Sequence, residues 1–236
     1  MLIGKDFERI EFSVFGVDLL EPNAFIGDSL ILIVALFLAS RTRKQDINID
    51  FFKNWNYFYL FFGICMFLGG VGHLMFNYWG FYGKYFPWYL GIVSIFFLEK
   101  AMISLISSKL RILLLRISVI KLVAALILET IIFYYMDMSL DHSIGVRIPA
   151  SNSAIGFIFS LGVLGNKFKK EIDKSFIYMV YSVFILLPSA IFLGLKINFH
   201  PWFDKNDFSH LSLIIAMFLF YRAIKSYGHN MANQSI

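Results

Sequence analysis

The stretch "LLEPNAFIGDSLILIVALFLAS" (residues 19–40) decides the fold class. Glu21 and Pro22 mark the start of a helix, because proline is well accommodated in the first helical turn. The apolar run that follows is long enough to cross a bilayer, which takes about 20 residues. Asp28 falls inside this run, about one or two turns from the start of the helix. An ionisable residue within a membrane span is a candidate functional residue.

The whole chain is rich in apolar residues, like this stretch. Of the 236 residues, 58% are hydrophobic and 16% are charged, and the mean hydropathy is +0.70. A soluble globular domain is about half apolar and a quarter charged, so this chain is expected to be an integral membrane protein. Lys and Arg lie at the ends of apolar runs and not in basic clusters interleaved with aromatics, which argues against a nucleic-acid partner. The single cysteine, Cys65, lies within an apolar run and forms no intrachain disulfide.

Seven apolar runs predict an all-α, seven-transmembrane helix bundle that forms one domain over residues 1–236. The runs are too continuously apolar for the strands of a membrane barrel. The predicted spans are about 24–41, 54–79, 87–107, 111–136, 146–166, 174–195 and 207–226. Residues 1–23 are expected to form an amphipathic N-terminal segment, and their acidic residues argue against a cleaved signal peptide.

The distribution of Lys and Arg predicts the orientation. Seven spans place the first, third and fifth connections on the same side as the C-terminus. That side carries 12 Lys and Arg, against 6 on the other side. Since basic residues accumulate on the cytoplasmic side, we expect the N-terminus outside and the C-terminus in the cytoplasm. The short loops and single cysteine are consistent with a bacterial inner membrane.

This orientation brings Asp28, His73, Asp207 and His210 to one depth near the outer surface. Two imidazoles near carboxylates suit a divalent metal, with zinc expected, because zinc takes nitrogen and oxygen ligands. One hypothesis makes His73, His210 and Asp207 metal ligands, with Asn206 in place of Asp207 as an option. Asp28 would be a further ligand or the general base, and Asp28 and Asp207 are the candidate catalytic residues. The alternative is that each histidine makes one packing hydrogen bond and that Asp207 caps the last span.

A second set of charged residues lies deeper, in the third and fourth predicted spans: Glu99, Lys100, Lys121 and Glu129. Arg116 or Lys121 is the expected partner of Glu99, and Lys100 is a candidate partner of Glu129. These residues are either structural ion pairs or part of an ion path. A transport path normally involves an interrupted helix, and only Pro188 is predicted to lie inside a span, so transport is the last-ranked hypothesis.

The "EPNA" entry to the first span, His73 late in the second and His210 early in the seventh together resemble the CREST superfamily, which includes alkaline ceramidases and adiponectin receptors. The resemblance implies a zinc-bound water that hydrolyses a lipid amide such as ceramide. That family pairs a serine with the histidine four residues later in span two, where this chain has Gly69. It carries two histidines four apart in span seven, where this chain has Asn206 and His210, and an acidic residue early in span three, which "FPWYLGIVS" (residues 86–94) lacks. Glu21 matches an acidic position that helps alkaline ceramidases to bind calcium.

Three functions therefore stay open at the level of sequence. The first is a metal-dependent hydrolase of a lipid amide or ester, with zinc as cofactor and calcium near Glu21. The second, favoured by the missing serine and histidine, is a non-catalytic receptor for a lipid or ligand, or a membrane scaffold. The third is a proton or ion transporter. Membrane lipids are the expected partners in each case.

Overall fold

The computed structural model describes residues 1–45, 48–107, 109–138 and 144–234, apart from the side chain of Gln234. Within these residues the chain is all-α except for one N-terminal β-hairpin. The helices are α1 Pro22–Thr42, α2 Asp50–Leu74, α3 Phe76–Trp79, α4 Tyr82–Ile103, α5 Lys109–Tyr135, α6 Arg147–Phe157, α7 Gly165–Glu171, α8 Ile177–Gly194 and α9 Lys205–Gln234. A π-helical segment, Ile158–Leu164, joins α6 to α7, and a 3-10 turn, Lys174–Phe176, leads into α8.

Six helical segments of the described chain are long and apolar enough to cross a membrane. They are Pro22–Thr42, Asp50–Leu74, Tyr82–Ile103, Arg147–Glu171, Lys174–Gly194 and Lys205–Asn233. The prediction of an all-α, multi-pass membrane protein is confirmed at this level. Helix α5, predicted as a further span at 111–136, is 27 residues long but is not among the six.

Residues 11–20 of the N-terminal segment form a β-hairpin. Strands β1 Glu11–Val14 and β2 Val17–Leu20 pair antiparallel, with Glu11 opposite Leu20. Leu2 also pairs with Asn198, in the connection between α8 and α9. This end of the bundle, where α1, α4 and α9 begin and α2 ends, is called the hairpin end below.

The opposite end, called the far end, is held by aromatic residues. Phe51 of α2 packs edge-on against Phe176 and Tyr227, with ring centroids 6.0 and 5.4 Å away. Between the two ends, the centre of the bundle is filled by fully buried apolar side chains from α1, α2 and α9, including Ile31, Phe58 and Phe220. The polar residues of the hairpin end are therefore separated from the far end by an apolar layer.

Helix α5 runs antiparallel to α4 along the length of the bundle. At the far end, Arg111 lies 2.8 Å from the carboxylate of Asp50, which begins α2. Towards the hairpin end, the hydroxyls of Thr130 and Tyr89 are 2.5 Å apart. Many large apolar side chains of α5 point away from the protein, as expected for a surface that faces lipid.

The start of α4 differs from the prediction. The helix begins at Tyr82, whereas the span was predicted from residue 87. Pro87 therefore lies inside a helix, and the expectation that Pro188 is the only internal proline is wrong. Lys84 precedes the predicted start of this span and is one of the six Lys and Arg assigned to the outer side, but it is a buried residue in the first turn of α4.

Candidate functional site

The most buried pair of the hairpin end joins α1 to α9. Asp28 is only 3% exposed, and its Oδ1 lies 3.2 Å from Nε2 of His210. The two atoms are at ion-pair distance, but Asp28 Oδ1 takes part in no hydrogen bond with the described residues. Nδ1, on the other side of the His210 ring, also has no hydrogen-bond partner among them. The ring fills the space where a side chain on Gly27 would lie.

A second pair joins the start of α1 to the end of α2. Oε2 of Glu21 lies 2.7 Å from Nδ1 of His73. Glu21 directly precedes α1 and adopts a left-handed backbone conformation, with φ 50°, which is uncommon for a residue other than glycine. Burial raises the pKa of Glu21, but the hydrogen bond from His73 and the positive charges of His73, Arg9 and Lys84 outweigh it and lower the pKa below its usual value. Glu21 is therefore an ionised acceptor, so Nδ1 of His73 donates.

Lys84 is a buried cation beside both pairs. Its side chain enters the bundle from α4 and is 7% exposed, and Nζ donates to the carbonyl of Gly69 at 3.1 Å. A Cβ on Gly69 would lie 3.8 Å from Oδ2 of Asp28, so the ammonium and that carboxylate lie against the same part of α2.

Asp207 forms a helix cap. Asp204, which directly precedes α9, accepts hydrogen bonds from the backbone N–H groups of Asn206 at 2.6 Å and Asp207 at 3.2 Å. Asp207 Oδ2 accepts in return from the N–H of Asp204 at 2.9 Å, which makes a reciprocal capping box. The same oxygen accepts from Asn23 Nδ2 at 2.8 Å. Asp207, the third residue of α9, thus completes the cap and ties α9 to α1, whereas the residue that caps the helix from outside is Asp204 and not the predicted Asp207.

These pairings do not fit a metal site. The part of the chain that the structure describes holds no group of three or more His, Cys, Asp or Glu side chains placed to bind a metal ion. His73 and His210 each face a different carboxylate, and Asp207 serves the cap of α9. Calcium at Glu21 would compete with the hydrogen bond from His73 and face the charges of Arg9 and Lys84. The zinc and calcium sites stay predictions.

A cavity of about 200 Å³ opens at the hairpin end beside these residues. Glu21, Asn23 and His73 line it on one side, and residues 6–10 and 204–206 line the others. Its charged lining residues are the acids Asp6, Glu8, Glu21 and Asp204 and the bases Arg9 and Lys205. Lys205 forms an ion pair with Asp6. The guanidinium of Arg9 lies 4.5 Å from the ring centroid of Phe76.

The polar residues predicted to lie at one depth come from three helices, and all of them lie at the hairpin end. Asp28 meets His210, while Asp207 contacts α1 through Asn23, and His73 lies at the same end of the bundle. His200, in the connection before α9, is exposed, and its Nδ1 accepts a hydrogen bond from the N–H of Trp202. His142 lies outside the described residues. Lys84 was not among the site residues predicted from the sequence. The signal that could have identified it is an ionisable residue placed between Gly83 and Pro87.

The deeper charged residues form a separate cluster. Oε1 of Glu99 lies 2.6 Å from Nζ of Lys121, which confirms Lys121 as its predicted partner. Ser118 donates to Glu99, and Lys121 also donates to Oδ1 of Asn152 at 2.8 Å. The cluster joins α4, α5 and α6. The predicted pairing of Lys100 with Glu129 is wrong, because neither carboxyl oxygen of Glu129 has a hydrogen-bond partner among the described residues.

The model of one protein family, described as a family of unknown function (DUF6962), matches residues 24–229. The chain belongs to the DUF6962 family. The region shared with DUF6962 runs from α1 into the last helix and includes Asp28, His73, Lys84 and His210, whereas Glu21 and the hairpin precede it. No curated protein and no solved structure matches this DUF6962 chain.

Proposed function

We propose that this protein binds a small polar group, free or as the head group of a membrane lipid, in the cavity at the hairpin end. The observation that carries the proposal is the position of this cavity. It is walled by the Glu21–His73 pair, and Asp28 lies five residues beyond Asn23 on α1, about 7 Å deeper along the helix axis. Ligand pockets commonly measure about 300–1,000 Å³, so a cavity of about 200 Å³ suits a small group.

The charges of the cavity indicate the chemistry of its ligand. Carboxylates and cations both line it, and its two cations have partners within the protein, Asp6 for Lys205 and the Phe76 ring for Arg9. A group with an ammonium can meet the acidic side chains, and a phosphate on the same group can meet Arg9. Phosphoethanolamine has both charges and is therefore the probe of choice.

Binding is tested with purified protein in detergent. Phosphoethanolamine and phosphatidylethanolamine are added separately, and the melting temperature is compared among wild type, His73→Ala and His229→Ala. The last is a matched control, because His229 lies exposed near the other end of α9. Saturation at about 100 Kd stabilises by about 2.7 kcal/mol, so we expect a rise of about 5 °C or more in wild type and control.

The outcomes of this experiment separate the two sources of the group. A rise with the lipid alone identifies a head-group site, and a rise with the free compound identifies a soluble ligand. We expect His73→Ala to lose the rise, because it removes one wall of the cavity. No rise with either probe in wild type, or an equal rise in His73→Ala, contradicts the proposal.

The proposal includes seven membrane crossings, with the hairpin end outside and the C-terminus in the cytoplasm of a bacterial inner membrane. The length of α5 and the Lys and Arg distribution support it. Seven crossings put the termini on opposite sides, and six put them on the same side. Cysteines introduced at the exposed Phe15 and Asn233 distinguish the two cases, because the native Cys65 is buried. An impermeant maleimide should label Phe15→Cys in intact cells and Asn233→Cys only after permeabilisation.

A lipid hydrolase is the second candidate function. It is favoured by Asp28 and His210, since a buried imidazole oriented by a carboxylate can act as a general base. Nδ1 of His210 would take a proton from water as the water oxygen bonds to the carbonyl carbon of an amide or ester, and Asp28 would stabilise the imidazolium. The C–N or C–O bond to the leaving group would then break, and the imidazolium would give its proton to the departing amine or alcohol. Mass spectrometry of ceramide and phospholipid substrates tests this function. Products should form with wild type and with His229→Ala but not with His210→Ala.

A further inference from the structure

We propose that Lys84 is the internal cation of the site, and that its ammonium, and not a metal ion, balances the carboxylates of Glu21 and Asp28. The inference concerns the buried charges beneath the cavity and is independent of the ligand proposed above. It rests on the path by which Lys84 enters the bundle, on its neighbours and on the arrangement of the potential metal donors.

The backbone of α4 directs Lys84 into the site. Pro87 has no N–H, so the carbonyl of Gly83, four residues earlier, lacks its usual helical partner. That carbonyl packs against Gly72 of α2, where a Cβ would lie only 2.5 Å from its oxygen. Because two glycines face each other, the helices touch through their backbones here. The side chain of the next residue, Lys84, then passes along Gly72, whose Cβ would lie 3.4 Å from Lys84 Cδ.

The ammonium has few hydrogen bonds and two acidic neighbours. Among the described residues its one hydrogen bond is to Gly69, and none of its ion pairs is as short as 4 Å. Asp28 Oδ2 lies beside the same glycine, 3.8 Å from the position of a Gly69 Cβ, and Lys84 is only 7% exposed. Glu21 is the second acidic neighbour, since it pairs with His73, which directly follows Gly72. Charges interact most strongly in buried surroundings, so contact is not required for Lys84 to stabilise both carboxylates.

The donors of the site are arranged for this role and not for a metal. A metal needs several donors about 2.0–2.6 Å away from one point, and no three such side chains converge in the described part of the chain. A divalent ion placed between the carboxylates would also be repelled by the ammonium of Lys84. The CREST resemblance implies an acidic residue early in the third span. Lys84 lies close to that position in this chain.

Removal of the charge tests the inference through stability. Lys84→Met should lower the melting temperature by about 5 °C or more, because it removes the buried positive charge beside the carboxylates of Glu21 and Asp28. Asp28→Asn added to Lys84→Met should restore at least about half of that loss, and Lys84→Arg should lose less than Lys84→Met. Lys100→Met is the matched control on the same helix, since Lys100 is only half-buried, and it should change the melting temperature by less than about 2 °C.

Two results would overturn the inference. The first is a Lys84→Met loss that Asp28→Asn does not reduce, because Lys84 would then act through packing or its bond to Gly69. If Lys84→Met alone yields no folded protein, the double variant must still yield it. The second is about one zinc per chain in wild type purified without chelator, measured by elemental mass spectrometry, since the cation of the site would then be a metal. We expect less than about 0.1 zinc per chain.

Discussion

Two buried charged clusters in this protein differ in how far their polar atoms are satisfied. In the Glu99 cluster, the carboxylate accepts a hydrogen bond from Ser118 and forms an ion pair with Lys121, and Lys121 also donates a hydrogen bond to Asn152. In the Asp28 cluster, Asp28 Oδ1 and His210 Nδ1 make no hydrogen bond with the described residues. Buried polar groups are normally paired, so the second cluster needs an explanation and the first does not. Burial of charge within membrane-length helices is therefore a weaker sign of function than unsatisfied polar atoms beside a cavity.

This difference also bears on the transport hypothesis. Glu99 and Lys121 were two of the four residues of its ion path, and they hold each other in a direct ion pair that joins three helices. The Asp28 cluster leads toward an apolar centre that contains Phe58 and Phe220. The geometry supports a structural role for the first cluster, whereas the second lies beneath the cavity at the hairpin end.

The largest expected effect comes from breaking the satisfied cluster. Lys121→Met leaves Glu99, which is 2% exposed, without its counterion. Loss of one partner of a buried pair costs about 3–5 kcal/mol, and the lower end applies because the Lys121 side chain is partly exposed. Thermal unfolding in detergent should show a fall well beyond that of Lys100→Met. Equal falls in both variants would mean that the Glu99 cluster is not structural.

Sequence reasoning predicted the helices well because each consists of one long apolar run. It placed the start of α4 too late, since "GKYFP" (residues 83–87) has the glycine and proline of a loop. Only the neighbouring helix shows why these residues are helical here, because Gly72 provides the space for Gly83 and its free carbonyl. Such a fit between two distant segments is not encoded in either segment alone.

The sequence predicted the membrane depth of the candidate site residues but not which side chains contact each other. The position of a residue along a span gives its level, and Asp28, His73 and His210 lie at the hairpin end as expected. The partner of each side chain depends on the rotation of its helix, which the apolar runs do not determine. Asp207 consequently turned out to bond to Asp204 and Asn23, and Glu21 and not Asp28 meets His73.

A moderate effect is expected from the glycines that admit the Asp28 cluster. A Cβ on Gly70 would lie 2.8 Å from Cβ of Asp28 and 3.2 Å from the backbone of Phe25, so α1 and α2 would have to move apart. Overpacking of this kind costs about 1–3 kcal/mol. Gly69→Ala is the matched control, because its Cβ would lie at an ordinary 3.8 Å from Asp28. Gly70→Ala should melt below Gly69→Ala, and the reverse order would contradict the close contact of α1 with α2.

The smallest effect on stability, and the sharpest test of the comparison, is expected from Asp28→Asn. The change keeps the shape of the side chain and removes a buried charge whose Oδ1 has no hydrogen bond among the described residues. Loss of this charge favours folding, but it also takes one carboxylate away from the ammonium of Lys84, and the two effects oppose each other. We therefore expect stability to stay within about 1 kcal/mol of wild type. Glu99→Gln is the matched change in the satisfied cluster and should destabilise, because the amide cannot accept from both Lys121 and Ser118 as the carboxylate does. Melting temperatures of the two variants, measured side by side with and without phosphatidylethanolamine, decide the matter. If Asp28→Asn falls as far as Glu99→Gln and still responds to the lipid as wild type does, both clusters are structural and the cavity is not linked to Asp28.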